Sequence, residues 1–263
     1  MCTIIVLKNT HPEFPVIVAA NRDEFYSRPS RGPVVLNEEP RIVGGIDEEK
    51  GGTWMGVTQG GLFVGLTNQR SYAPRTRAPK SRGEVVFEAL RCQSTERVRA
   101  YLGSLDATQF ESFNLIYGDA AGLEVAYARR DQAGIEILAI EDGVSVLSND
   151  RLDATNFPKL DRARQLVEPV VGQAWPELVV SLQAALADHE LPGAANVEVP
   201  KDAPFGPGEL RKLQALCVHT PHYGTRSSTV VALRPGGVAH YQYASAAPCS
   251  SQLVDATDFV SGP

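Results

Sequence analysis

The stretch Met1-Cys2-Thr3-Ile4-Ile5-Val6-Leu7, followed after a turn by Pro15-Val16-Ile17-Val18-Ala19-Ala20-Asn21-Arg22-Asp23-Glu24, decides how this sequence is read. Residues 3–7 and 15–20 are short continuous apolar runs of the buried-strand type, and Asn9, His11 and Pro12 supply turn chemistry between them. The two runs predict a hairpin whose second strand ends in a polar tetrad beside the start of the chain. If Leu7 pairs with a residue near Val16, Cys2 falls opposite Asn21, and Asp23, of the same parity as Asn21, shares their face. A slip of one residue favours Arg22 instead.

Cys2 is the sharpest chemical feature. Initiator methionine is removed when the next residue is small, so the mature chain is expected to begin at Cys2. A terminal cysteine carries a thiol nucleophile and an α-amine that titrates near ~7.7–8.0, so nucleophile and general base sit in one residue. A neighbouring guanidinium is expected to lower the thiol pKa, and a neighbouring carboxylate to hold the terminal ammonium or orient the thiol. The competing reading is plain: cysteine is a commonly buried residue type, and here it begins a buried strand.

Working outward, the first 70 residues read as β structure, with residues 53–58 and 62–67 as a further hairpin. The glycine pairs Gly44-Gly45 and Gly51-Gly52 bracket an acidic loop, Asp47-Glu48-Glu49. Ser81-Arg82-Gly83-Glu84 has the capping-box pattern of a helix start, and Ser94 caps a second helix to about residue 102. Strands are expected at 114–117, 123–128, 135–140 and 144–147, helices at 159–167 and 175–187, an irregular stretch at 191–208, and final strands at 227–233 and 240–244. Trp54 suits either the core or a pocket wall. Blocks of strands and helices in this order predict an α+β fold rather than alternating βαβ units, in one domain spanning 1–263.

Composition narrows the function classes. A net charge of −6 argues against a nucleic-acid or anionic-membrane surface. No apolar run approaches the roughly 18 residues of a membrane span, and 3–7 is too short for a secretory leader, so a cytoplasmic protein is expected. Cys2, Cys92, Cys217 and Cys249 are widely spaced without a C-x-x-C pair, which fits a reducing compartment. Cys217, His219 and His222 concentrate soft ligands that could serve haem, but with no fourth ligand nearby a structural zinc site is not expected and no metal is assigned. The basic loop 70–80 follows Asn68 and could rim a pocket for acidic groups.

The chain resembles the family named for Asn-Arg-Asp-Glu, whose eukaryotic members are called transport and Golgi organisation protein 2, along nearly its whole length. The resemblance rests on Met1-Cys2-Thr3, Asn21-Arg22-Asp23-Glu24, Gly51-Gly52-Thr53-Trp54, Gly65-Leu66-Thr67-Asn68, Leu147-Ser148-Asn149, Thr155-Asn156-Phe157-Pro158-Lys159 and Gly224-Thr225-Arg226-Ser227-Ser228-Thr229. More distantly it is similar to the bile-salt hydrolase and penicillin V acylase branch of N-terminal-nucleophile hydrolases. That resemblance implies a four-layer αββα sandwich and catalytic residues at Cys2, Arg22, Asp23, Asn68, Asn149 and Arg226, with Thr67 inserted before the asparagine of the Gly-Leu-Asn segment. Two functions follow as expectations. One is a cysteine amidohydrolase on a small-molecule non-peptide C–N bond, needing no cofactor. The other is a carrier of haem, acyl-coenzyme A or lipid, with Cys217, His219 and His222 as candidate haem contacts.

Overall fold

The computed structural model describes residues 2–70, 80–155, 157–193 and 206–262. The chain opens with β1 (Cys2–Lys8) and β2 (Val16–Phe25), then β3 (Ser30–Asn37), β4 (Ile42–Asp47), β5 (Met55–Thr58) and β6 (Phe63–Asn68). Helices α1 (Arg82–Arg91) and α2 (Thr95–Gly103) precede β7 (Phe113–Asp119), β8 (Gly122–Ala128), β9 (Ile135–Ala139) and β10 (Gly143–Leu147). Then come α3 (Pro158–Val167), α4 (Trp175–Leu186), α5 (Pro207–Lys212), β11 (Tyr223–Arg234), β12 (Gly237–Ala244), β13 (Val254–Asp255) and α6 (Thr257–Ser261).

Two antiparallel sheets result. One has six strands in the order β10-β1-β2-β11-β12-β13, the other seven in the order β3-β4-β5-β6-β7-β8-β9. Strand alternation separates most of the apolar residues into three cores. Even-numbered residues of the first hairpin, Ile4, Val6, Val18 and Ala20, meet Val57, Phe63 and Ile116 between the sheets. Odd-numbered ones, Ile5, Leu7, Ile17 and Ala19, face α3 and α4 through Leu160, Ala163, Leu178 and Leu182. On the far side Val64 and Leu115 face α1 and α2 through Val86, Leu90, Val98 and Leu102. The layers are therefore α, β, β, α, as expected.

Several local expectations change. The hairpin register is shifted by one from the expected one: Leu7 pairs with Ile17 and Cys2 with Arg22. The tight turn Asn9–Pro15, closed by a 2.7 Å bond from the Asn9 N–H to the Pro15 carbonyl, sets that register. Gly44 and Gly45 lie inside β4, because a Cβ on Gly44 would come within 2.4 Å of the Met55 carbonyl of the adjacent strand. Ser94 caps α2 through the Arg97 N–H, whereas the Ser81 hydroxyl makes no cap bond to α1. Within the stretch expected to be irregular, α5 forms at its end, while residues 194–205 lie outside the described residues, as do 71–79 of the basic loop. Among the described residues no helix is long and apolar enough to cross a membrane.

Phe63, fully buried between the sheets, holds the two together. Phe63→Ala is expected to lower unfolding free energy by about 3–5 kcal/mol, measured by urea denaturation; a loss under 1 kcal/mol would show that the inter-sheet layer is not close-packed there.

Candidate active site at the end of β2

The last residues of β2 alternate between two environments, and this alternation builds the site. Arg22, paired with Cys2, points between the sheets; Asn21 and Asp23 point to the helix layer. The guanidinium of Arg22 donates to Ser30 Oγ at 3.0 Å, lies 3.5 Å from Asp47 Oδ2 and 3.9 Å from Glu24 Oε2, and stacks 4.2 Å over the Trp54 ring. Arg28 completes the network with Nε 2.7 Å from Asp47 and Nη1 3.3 Å from Glu24. Trp54 rests against Gly45, where an added Cβ would come within 2.1 Å of the ring, so only glycine admits it.

On the opposite face, Asp23 accepts a 2.7 Å hydrogen bond from Thr225 Oγ1, and Lys159 Nζ lies 3.7 Å from its second oxygen with both side chains fully buried. Burial pushes the Asp23 carboxyl pKa up and the Lys159 ammonium pKa down, each opposed by the other's charge. Pro158 at the first turn of α3 places Lys159 here. Asn21 is structural: its amide donates to the Leu186 and Leu216 carbonyls at 2.8 and 2.9 Å, and its oxygen accepts from Ser228 Oγ at 2.5 Å.

Cys2 is partly exposed and borders a cleft of about 330 Å³ that Arg22, Trp54, Asn68 and Arg82 also line. The start of α1 forms one rim, pressed close because a Cβ on Gly52 would sit 2.9 Å from the Gly83 backbone. Protein packed around the thiol raises the Cys2 pKa; Asp23 adds to the rise and Arg22 opposes it. The expected lowering by the guanidinium is present, but burial outweighs it, and the net shift is upward. Ser148 Oγ donates to the Cys2 carbonyl at 3.1 Å and so anchors the first strand.

The other expected positions divide. Asn68 lines the cleft with Cys2. Asn149 is buried behind it and donates to the Asn68 carbonyl at 2.6 Å. Arg226 lies elsewhere: it is the extra residue of a β-bulge between Thr225–Asp23 and Ser227–Arg22, and its guanidinium donates to the Phe25 and Tyr26 carbonyls at 3.3 and 2.7 Å. A bulge residue drops out of the alternation, which sequence parity does not reveal. Cys217 and His219 come together, with the Cys217 Sγ 3.5 Å from His219 Nε2, but in company with His189 and Cys249 rather than His222. Lys159 and Asp47 were missed as site residues; only the Phe157-Pro158-Lys159 motif marked the first.

The profile of the family described as Transport and Golgi organisation 2 matches residues 1–243. The Transport and Golgi organization protein 2 homolog of Bos taurus is 32% identical over 259 residues, covering 90% of each chain. Among solved structures, a mutant conjugated bile acid hydrolase from Clostridium perfringens superposes with a TM-score of 0.54 at 13% identity, covering 100% of this chain and 94% of that one. Penicillin V acylase from Agrobacterium tumefaciens gives 0.53 at 15% identity, covering 98% and 86%. The fold is that of the N-terminal-nucleophile hydrolases.

Removing one partner of the buried pair leaves an uncompensated charge. Lys159→Met is expected to cost about 3–5 kcal/mol, and Asp23→Asn/Lys159→Met to recover most of it. Urea unfolding of wild type, Asp23→Asn, Lys159→Met and the double variant measures the coupling, and a double-variant loss equal to the sum of the two single losses would show there is none.

Proposed function

This chain belongs to the Transport and Golgi organisation 2 family, and we propose that it is a Cys2-dependent amidohydrolase acting on a non-peptide C–N bond. The observation that carries this reading is the position of Cys2 at a cleft on an N-terminal-nucleophile hydrolase fold, opposite a guanidinium fixed by an acidic residue, a hydroxyl and an indole. Fold alone does not carry function. The named structural neighbours, a bile acid hydrolase and a penicillin acylase, support the reaction class.

A thiol whose pKa is raised above its ordinary value needs a base to attack. Removal of Met1 places the α-amine on Cys2 itself, with an ordinary pKa near ~7.7–8.0. In the reaction, the Cys2 thiol gives its proton to this amine as sulfur bonds to the substrate carbonyl carbon. The tetrahedral oxyanion takes a hydrogen bond from Asn68, whose strand end Asn149 positions; one such donor is worth roughly 2.7–4 kcal/mol. Collapse breaks the C–N bond, the ammonium protonates the leaving nitrogen, and water then cleaves the thioester with the amine again as base. Arg22 and the Asp23–Lys159 pair hold the strand end that presents Cys2.

The described lining also bears on substrate size. Its large apolar members are Trp54 and Leu66, among many charged side chains, which suits a small polar amide better than a long acyl chain. The haem carrier alternative has no observation of its own among residues 217–222: Cys217 and His219 stand in a cluster with His189 and Cys249, apart from His222.

Intact mass is expected to show a chain starting at Cys2, and a panel of small acyl amides to be hydrolysed with a rate that falls at low pH as the amine protonates. Cys2→Ala is expected to lose at least ~10³-fold in turnover. Saturable haem binding by wild type and Cys2→Ala alike, with no turnover across the panel, would overturn the proposal in favour of a carrier.

A further inference from the structure

Away from the Cys2 cleft, side chains from three distant parts of the chain converge: His189 follows α4, Cys217 and His219 precede β11, and Cys249 follows β12. One ligand atom from each lies within 4.8 Å of all the others. We propose that these four residues bind a structural zinc ion, a site of the two-thiolate, two-imidazole type.

The spacing carries the inference. Zinc–sulfur and zinc–nitrogen bonds of about 2.3 and 2.0–2.1 Å at tetrahedral angles place two sulfurs roughly 3.8 Å apart and a sulfur and nitrogen roughly 3.6 Å apart. Cys217 Sγ and Cys249 Sγ are 3.8 Å apart; His219 Nε2 is 3.5 Å from the first and 3.3 Å from the second. Three edges of the tetrahedron are therefore already formed, and His189 is left to close on the fourth corner.

The surrounding bonds orient the ligands as metal sites require. His189 Nδ1 lies 3.1 Å from the Cys217 carbonyl. A carbonyl only accepts, so Nδ1 carries the proton and Nε2 keeps its lone pair for the ion. The backbone beneath is rigid: the Cys217 N–H donates to the Asp188 carbonyl at 2.8 Å, and Asn21 binds the Leu186 and Leu216 carbonyls together. Gln183 Nε2 donates to the Pro248 carbonyl at 3.1 Å and fixes the Cys249 segment. Cys217 is buried while the other three are exposed, which leaves a path for the ion. Four protein ligands close the coordination shell, the mark of a structural rather than a hydrolytic zinc. The ion would tie the segment after β12 to the one that enters β11, whose Val218 N–H donates to the same Thr225 hydroxyl that donates to Asp23.

The full chain, purified under reducing conditions and exchanged into zinc at defined free concentrations, should bind one ion per chain. Cobalt in its place should give the intense d–d bands of a tetrahedral thiolate complex. Cys217→Ser and Cys249→Ser should each weaken zinc binding more than ~100-fold, beyond the range seen for outer-shell changes, with unchanged circular dichroism. His219→Ala should weaken it as well, and Cys92→Ser and Cys2→Ala should not. Retained stoichiometry in both cysteine variants, octahedral cobalt bands, or a Cys217–Cys249 disulfide in place of bound metal would each overturn the site, whatever becomes of the amidohydrolase reading.

Discussion

The pairing of β2 with β1 on one side and β11 on the other governs everything at the candidate site. Antiparallel pairing puts directly opposed residues on one face, so the register that sets Cys2 against Arg22 also sends Asn21 and Asp23 the other way. Four consecutive polar residues thereby serve separate tasks. Asn21 binds backbone carbonyls beside α4 and before β11, Arg22 reaches the cleft, Asp23 meets Lys159, and Glu24 holds Arg28. A one-residue slip would exchange the two faces and set Asn21 or Asp23, not a guanidinium, opposite the thiol.

Both ionic groups at this strand end are buried, and burial of charge is costly unless the geometry offsets it. The two solutions differ. Arg22 has the Ser30 hydroxyl, the Asp47 carboxylate and the face of the Trp54 indole, each supplied by a different part of the seven-stranded sheet and its loops. Asp23 has one hydroxyl and one ammonium at 3.7 Å, and the pKa of each partner of that pair is pushed toward its neutral form. The first arrangement fixes a positive charge near Cys2. The second joins β2 to the first turn of α3, so that helix and strand place the end of the chain together.

The short motifs quoted from the sequence are scattered over more than two hundred residues yet meet in this small volume. Ser148 bonds the Cys2 carbonyl, Asn149 bonds Asn68, Lys159 faces Asp23, and Thr225 bonds Asp23 in turn. Glycines in and beside these motifs act by what they lack. Gly45 leaves room for the Trp54 ring, and Gly224 approaches the Val218 carbonyl so closely that a Cβ would lie 2.5 Å from it.

The sequence by itself determined the α+β class and most strand and helix positions, because apolar runs and their periods reflect burial residue by residue; the two-sheet layering followed from resemblance. Through motif resemblance it also pointed to Cys2, Arg22, Asp23, Asn68, Asn149 and Arg226 as one site, of which Cys2, Arg22, Asp23 and Asn68 border one cleft. Tertiary structure decided what lies on which face. A one-residue change of register, the bulge that turns Arg226 outward, and the burial that raises the Cys2 thiol pKa above its ordinary value depend on neighbours remote in the chain. The gathering of His189 and Cys249 around Cys217 and His219 depends on them too. Local pattern records whether a residue is buried; only the packed sheets and helices fix the partner it is buried against, because that partner arrives from another layer.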